Sequence, residues 1–245
     1  MKSKIRNLIL KLIPAGISNH LYYNHPGYKK TQDGYISFSQ DGEDMVLRRI
    51  FSGKLNGTYV DIGAHHPSLY SNTNYFYQNG WTGINIDPLP GNKLIFDAKT
   101  PSDTNLEVLV SENEGMVEFY LFDPPLMNTM SAQQANENEK YEWCKLKETI
   151  EVPSVPLGQL LDQHLAADTK IDFMSIDVEG AEMTVLKSNN WEKYTPDVLL
   201  VEMIDIDIEN IFKTDVHLFL TERSYVFFAK TWNTVFYKHK GFFEF

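Results

Sequence analysis

The chain has 245 residues, with 22 Lys and Arg against 33 Asp and Glu and a formal net charge of −11, so it is not built to neutralise a phosphate backbone, and no nucleic-acid partner is expected. Its single cysteine, Cys144, excludes an internal disulfide and, with no secretory leader to read, fits a reducing cytoplasm. No stretch approaches the roughly 20 apolar residues of a membrane span, while 42% hydrophobic and 22% charged content suit one α/β domain with a continuous core.

Residues 1–13 carry Lys2, Lys4, Arg6 and Lys11 and no acid, and Ile5, Leu8, Ile9, Leu12 and Ile13 share one helical face. Such a basic amphipathic helix is expected either to dock on its own domain or a second copy, or to lie peripherally on the inner membrane face. Pro14 and Gly16 end it, and an aromatic loop follows, so 1–38 reads as an appendage and 39–245 as the main domain. Ser39-Gln40-Asp41-Gly42-Glu43-Asp44 then places acids ahead of an apolar-periodic run over 45–51, as at a helix N-terminus. The β-branched stretch through Tyr59-Val60-Asp61-Ile62 reads as a buried strand, followed by Gly63, Ala64, His65 and His66 in a loop. A helix around 71–80 and a strand over 82–87 come next, the latter closing on Asp87, 26 residues after Asp61.

Residues 105–110 and 116–122 read as strands, and 123–147 as a polar, acidic stretch of the length that often forms a functional lid. A strand over 149–155 leads to a helix opened by Pro156. A strand over 170–176 ends at Asp177, a helix follows from about Gly180, and a strand over 197–202 ends at Glu202. A helix near 209–222 precedes two closing strands, about 224–229 and 232–238. This alternation points to α/β with a mainly parallel sheet, its closing pair forming an antiparallel edge.

Two strands that end in carboxylates at this separation resemble the first βαβ unit of a nucleotide-binding sheet, whose ligands sit beyond the carboxyl ends of the strands. There Asp87 is placed to accept hydrogen bonds from ribose hydroxyls. Asp177, Glu179 and Glu182 repeat the arrangement, with Glu182 expected to complement a helix dipole. His65 and His66, titrating near neutrality, are the candidate general bases. Asp177 and Glu179, with a histidine, are also an oxygen and imidazole set suited to Mg²⁺ or Mn²⁺, although no spacing compels a metal. Tyr22, Tyr23, Tyr28, Tyr141 and Trp143 are candidate aromatic walls on the acceptor side of the site.

Taken together, Ser39–Asp44, Tyr59–Pro67, Ser71-Asn72-Thr73, Asn79–Pro88, Asp103–Leu106, Asn128–Ser131 and Ser175–Glu182 resemble the FkbM family of S-adenosylmethionine-dependent methyltransferases, over about residues 39–237. The resemblance implies an α/β, class I methyltransferase (Rossmann-like) three-layer fold, with a seven-stranded, mostly parallel sheet in the order 3-2-1-4-5-7-6. It implies that Asp61, Gly63 and Ala64 line the methionine side of S-adenosyl-L-methionine, and that Asp87 holds the ribose. By the same resemblance Asp103 lies near the adenine edge, and Gln40 and Glu43 reach the amino-acid end. The catalytic set is then His65, His66, Asp177 and Glu179. The implied reaction is O-methylation of a hydroxyl, on a sugar of a surface glycan or on a glycosylated metabolite. Only Gly63 remains of the glycine-rich first loop common in class I enzymes, which also disfavours a nicotinamide-dependent oxidoreductase. A cofactor-binding scaffold protein without catalysis is the competing reading.

Overall fold

Asp61 is a buried acid inside the otherwise apolar stretch Tyr59-Val60-Asp61-Ile62. The computed structural model describes residues 35–242. The amphipathic helix expected over 1–13, and Tyr22, Tyr23 and Tyr28, lie outside the described residues. The strands β1 (Thr58–Ile62), β2 (Thr82–Ile86), β3 (Thr104–Leu106), β7 (Phe173–Ile176), β8 (Val198–Glu202), β9 (Tyr225–Lys230) and β10 (Thr234–His239) form one sheet, in the order β3-β2-β1-β7-β8-β10-β9. Counted by their sequence rank within the sheet, this is 3-2-1-4-5-7-6. Only β10 runs antiparallel to its neighbours β8 and β9.

The strands β1, β7 and β8 are buried on both faces, as a parallel sheet covered by helices requires. Val60, Ile62, Met174, Ile176, Leu199 and Val201 point to one side. There α5 (Leu157–His164), α6 (Glu182–Ser188) and α8 (Asp215–Glu222) pack their apolar stripes. Tyr59, Phe173, Leu200 and Phe236 point to the other, under Leu47 and Ile50 of α1 (Glu43–Ile50), Phe76 of α2 (Asn74–Gln78) and Trp81. Phe173 stacks on Tyr59 at 5.7 Å and meets Phe76 at 4.9 Å. Three layers result, with all the carboxylate-bearing strand ends on one edge.

Some boundaries differ from the sequence-based expectation. The strand expected over 105–110 is two strands in two sheets. β3 ends at Leu106, while β4 (Leu109–Val110) joins β5 (Gly115–Asp123) and β6 (Lys145–Val155) in a separate sheet of order β4-β6-β5. Between them Glu107 turns out to accept the Gly91 amide at 2.8 Å, at the start of α3 (Asn92–Lys99). The stretch 123–147 is largely ordered. It holds a 3₁₀ turn at Pro125–Met127, then α4 (Ala132–Asn138) with Ser131 Oγ capping the Gln134 amide, and the first residues of β6. The expected helix near 209–222 is interrupted, because Thr214 caps a new helix, α8, after the single turn α7 (Ile208–Ile211).

Candidate functional site

Beyond the carboxyl ends of β1, β2 and β7 lies an open crevice, lined by Ile62, Gly63, Ile86, Asp87 and Asp177 among others. The loop after β1 is pinned to β2 by Gly63 N and Ala64 N, which donate to the Ile86 carbonyl at 2.9 and 3.2 Å. On the other side Asp177 N donates to the Ile62 carbonyl at 3.0 Å. At Gly63, with φ of 78°, a Cβ would sit 1.6 Å from the Asp177 carbonyl oxygen. Gly63→Ala is therefore expected to push the two loops apart at a cost of about 2–4 kcal/mol, from overpacking and left-handed strain. Thermal melts check this, and a change below about 0.5 kcal/mol would contradict the close approach.

Asp87 closes β2 and lines the crevice. Its Oδ1 accepts from Leu89 N and from Asn92 Nδ2, both at 2.9 Å, and its Oδ2 accepts from His65 N at 2.9 Å. A carboxylate offers about four acceptor positions, so one on Oδ2 is left for a ribose hydroxyl. Burial raises its pKa, opposed by these hydrogen bonds. Asn92 also donates to the His65 carbonyl at 2.8 Å, which holds His65 in its left-handed conformation of φ 52°. An apolar wall of Val108, Leu109, Phe119, Leu126 and Met130 lines the same crevice, from the second sheet, the 3₁₀ turn and the loops beside them. That wall suits a purine face, and Asp87 suits its ribose, so the residues present fit a nucleoside cofactor.

A polar hollow adjoins this wall, lined by Gln40, Glu43, Asp61, His65, Asp177 and Glu202 among others. The 39–44 motif divides its labour. Asp44 is fully buried and binds Ser39 Oγ at 2.9 Å, Phe38 N at 3.1 Å and the Arg48 guanidinium, anchoring α1. Glu43 faces the hollow, holding the Asp41 amide at 2.9 Å and the Thr231 hydroxyl. Asp61 accepts from Thr73 Oγ1 at 3.2 Å. Burial, only partly offset by that bond, raises its pKa to about 7.

One oxygen each of Asp177, Glu179 and Glu202 lie within 4.8 Å of one another. Burial raises Asp177, and lifts Glu202 far above the carboxylate range with help from Asp177 and Glu179. Glu179 rises to about 9, through burial and then Asp177. Its backbone is left-handed at φ 53°, with its carbonyl tied by Thr129 Oγ1 at 2.7 Å. Glu182 turns away to accept the Gly180 amide at 3.0 Å, as the dipole reading expects, and burial raises it to about 7.

These carboxyls keep protons in the folded chain that the unfolded chain releases, so stability declines as pH rises from the ordinary carboxylate range of about 4–4.5. The decline continues through about 9, the folded-state value of Glu179, and beyond it for Glu202, which is raised further still. A fall in melting temperature of about 2 °C or more from pH 5 to 9 is expected, without cofactor or cations. A rise across that interval would show the cluster to be solvated.

Two expected site residues fall outside the crevice. Asp103 accepts from Tyr59 Oη at 2.5 Å, Gly83 N at 2.9 Å and Asn85 Nδ2 at 3.0 Å, at the opposite end of β2 from Asp87. It fastens β2 and β3 rather than facing an adenine. His66 Nδ1 accepts the amides of Ser68 and Leu69, both at 3.1 Å, and does not line the crevice, whereas His65 does. Tyr141 and Trp143 stack on each other at 5.3 Å and do not line it either. The third member of the acidic cluster is Glu202 rather than a histidine. The apolar wall carries no separate signal in the sequence, although its Met130 falls within the Asn128–Ser131 motif of the resemblance.

Among described residues no helix is long and apolar enough to cross a membrane. Residues 61–227 match the methyltransferase FkbM domain. No curated relative matches the chain. Among solved structures, Burkholderia thailandensis 1,6-didemethyltoxoflavin-N1-methyltransferase with bound 1,6-didemethyltoxoflavin and S-adenosylhomocysteine is 9% identical, with a TM-score of 0.45, covering 91% of this chain and 86% of that chain. The family match spans well over half of the sequence: the chain belongs to the FkbM methyltransferase family and is an S-adenosylmethionine-dependent methyltransferase.

Proposed function

We propose that the chain transfers a methyl group to a hydroxyl, on a sugar of a surface glycan or of a glycosylated metabolite, and works in the cytoplasm or peripherally at the inner membrane face. The observation that carries this reading is the polar hollow next to the apolar wall. Gln40, Tyr70, Asn72, Asn233 and Thr234 line it together with the acids and His65. Such a density of amides, hydroxyls and carboxylates suits a polyhydroxylated acceptor, which needs many directional partners and little apolar surface.

Asp87 would hold the ribose, the Val108–Phe119 wall the adenine, and Gln40, Glu43, Asp61, Gly63 and Ala64 the amino-acid end. S-adenosylmethionine supplies a methyl already activated on a sulfonium. The protein's task is to align an acceptor oxygen with it and remove one proton. His65 accepts that proton. Burial and then the neighbouring His66 lower its pKa, so the ring is neutral and able to accept at pH 7. Asp177 and Glu179 orient the acceptor hydroxyl.

Purified chain incubated with methyl-labelled cofactor and a panel of glycans and glycosides is expected to yield labelled O-methyl sugars, located by mass spectrometry. Label on nitrogen or carbon alone, or none on any pool, would overturn the reading; the last result would favour the scaffold alternative.

A further inference from the structure

We propose that Asp177, Glu179 and Glu202 bind a divalent cation of the Mg²⁺ or Mn²⁺ class beside the acceptor position. Asp177 and Glu179 follow β7, and Glu202 ends the adjacent parallel strand β8, where Ile176 pairs with Val201. The fold thus brings three carboxylates from neighbouring strand ends to one point, and their oxygens lie within 4.8 Å of one another. Oxygens bound to one such ion at about 2.0–2.1 Å lie within about 4.2 Å of one another, a separation that small side-chain adjustments reach from this arrangement.

Proximity alone leaves acidic groups unexplained, and Glu202 adds an independent observation. The residue is only 9% exposed, and its Oε2 is buried without a hydrogen-bond partner. It lines the same hollow as Asp177. Burying an uncompensated carboxylate oxygen is costly unless it is protonated, paired or bound to a metal. Within the protein Glu202 meets Asp177 carboxyl to carboxyl, which leaves Oε2 unpartnered, and among the described residues none of the ion pairs found brings a cationic side chain to these three acids. A hard cation meets an all-oxygen set of this kind with positions to spare for water or an acceptor oxygen. Its use in methyl transfer, lowering the pKa of the bound hydroxyl, rests on the hydroxyl-acceptor reading; its existence does not, so binding is measured apart from turnover.

Chelator-treated full-length chain is titrated with Mn²⁺, and free ion is followed by electron paramagnetic resonance. Saturable binding of a single equivalent is expected, weakened about tenfold or more in Glu202→Gln and in Glu179→Gln. Mn²⁺ should raise the melting temperature of the native chain by more than that of either variant. Without metal, Glu202→Gln should melt at the native temperature or above, since a structural carboxylate would show the opposite. Three results would overturn the site: no saturable binding at millimolar Mn²⁺, unchanged affinity in both variants, or one-for-one displacement of Mn²⁺ by S-adenosylhomocysteine, which would assign the acids to the cofactor's ammonium. Mn²⁺ binding without sugar methylation would leave the site standing and remove the acceptor reading alone.

Discussion

Asp87→Ala is expected to weaken S-adenosylhomocysteine binding by about 10–100-fold in calorimetric titration, the scale of one or two charge-assisted hydrogen bonds. The substitution removes the acceptor for the ribose. It also strands three donors, Leu89 N, Asn92 Nδ2 and His65 N, which now converge on that carboxylate. Asp87→Asn separates the two effects, because its Oδ1 can still accept from one side while its amide cannot replace the second oxygen. An intermediate loss in Asn with a near-native melting temperature is the expected pattern. Native affinity in the Ala variant, with the fold intact, would displace the ribose from β2.

His65→Ala should lower kcat by about 10²–10⁴-fold, the usual contribution of a general base, and leave cofactor affinity nearly unchanged. The contrast with His66 makes the test sharp. His66 spends its Nδ1 on the amides of Ser68 and Leu69, so His66→Ala should cost about 1–2 kcal/mol of stability and little turnover. The pH profile of the native chain carries a sign. His65 must be neutral to accept a proton, and its pKa is lowered by burial and then by His66. The acid limb of kcat/KM should therefore fall with a midpoint below the ordinary imidazole value of about 6.5. Equal turnover losses in both histidine variants, or an acid limb above that value, would count against His65 as the base.

Much of this architecture is legible in the sequence because strand burial and strand termination are local signals. The residues Tyr59-Val60-Asp61-Ile62-Gly63 encode a two-sided buried strand and its exit, and the structure places both there. Asp87 and Asp177 are readable for the same reason: each is the first charge after an apolar run. The second sheet is not readable in that way. Leu106 and Leu109 belong to one strand-like stretch in sequence, broken only by Glu107, yet they enter different sheets, and the long-range pairing of β4 with β6 separates them. The apolar wall inherits that difficulty, since Phe119 reaches the crevice through β5–β6 pairing, which no local pattern records.

Side-chain roles were the least legible. Asp103 and His66 stand among crevice residues in sequence, but hydrogen-bond direction decides their use, and both are occupied by protein donors. Glu202 is visible as a strand-ending acid. Its approach to Asp177 and Glu179 depends on β7 and β8 being neighbours in the sheet.

The central claim, that the cofactor spans from the β2 acid to the β7 carboxylates, is tested most directly by a crystal structure of the chain with S-adenosylhomocysteine. The expected result is a ribose hydroxyl within hydrogen-bond distance of Asp87 Oδ2, the adenine against Phe119 and Val108, and the sulfur facing the hollow that holds His65 and Asp177. A ribose bound away from Asp87, or a sulfur turned from that hollow, would contradict it.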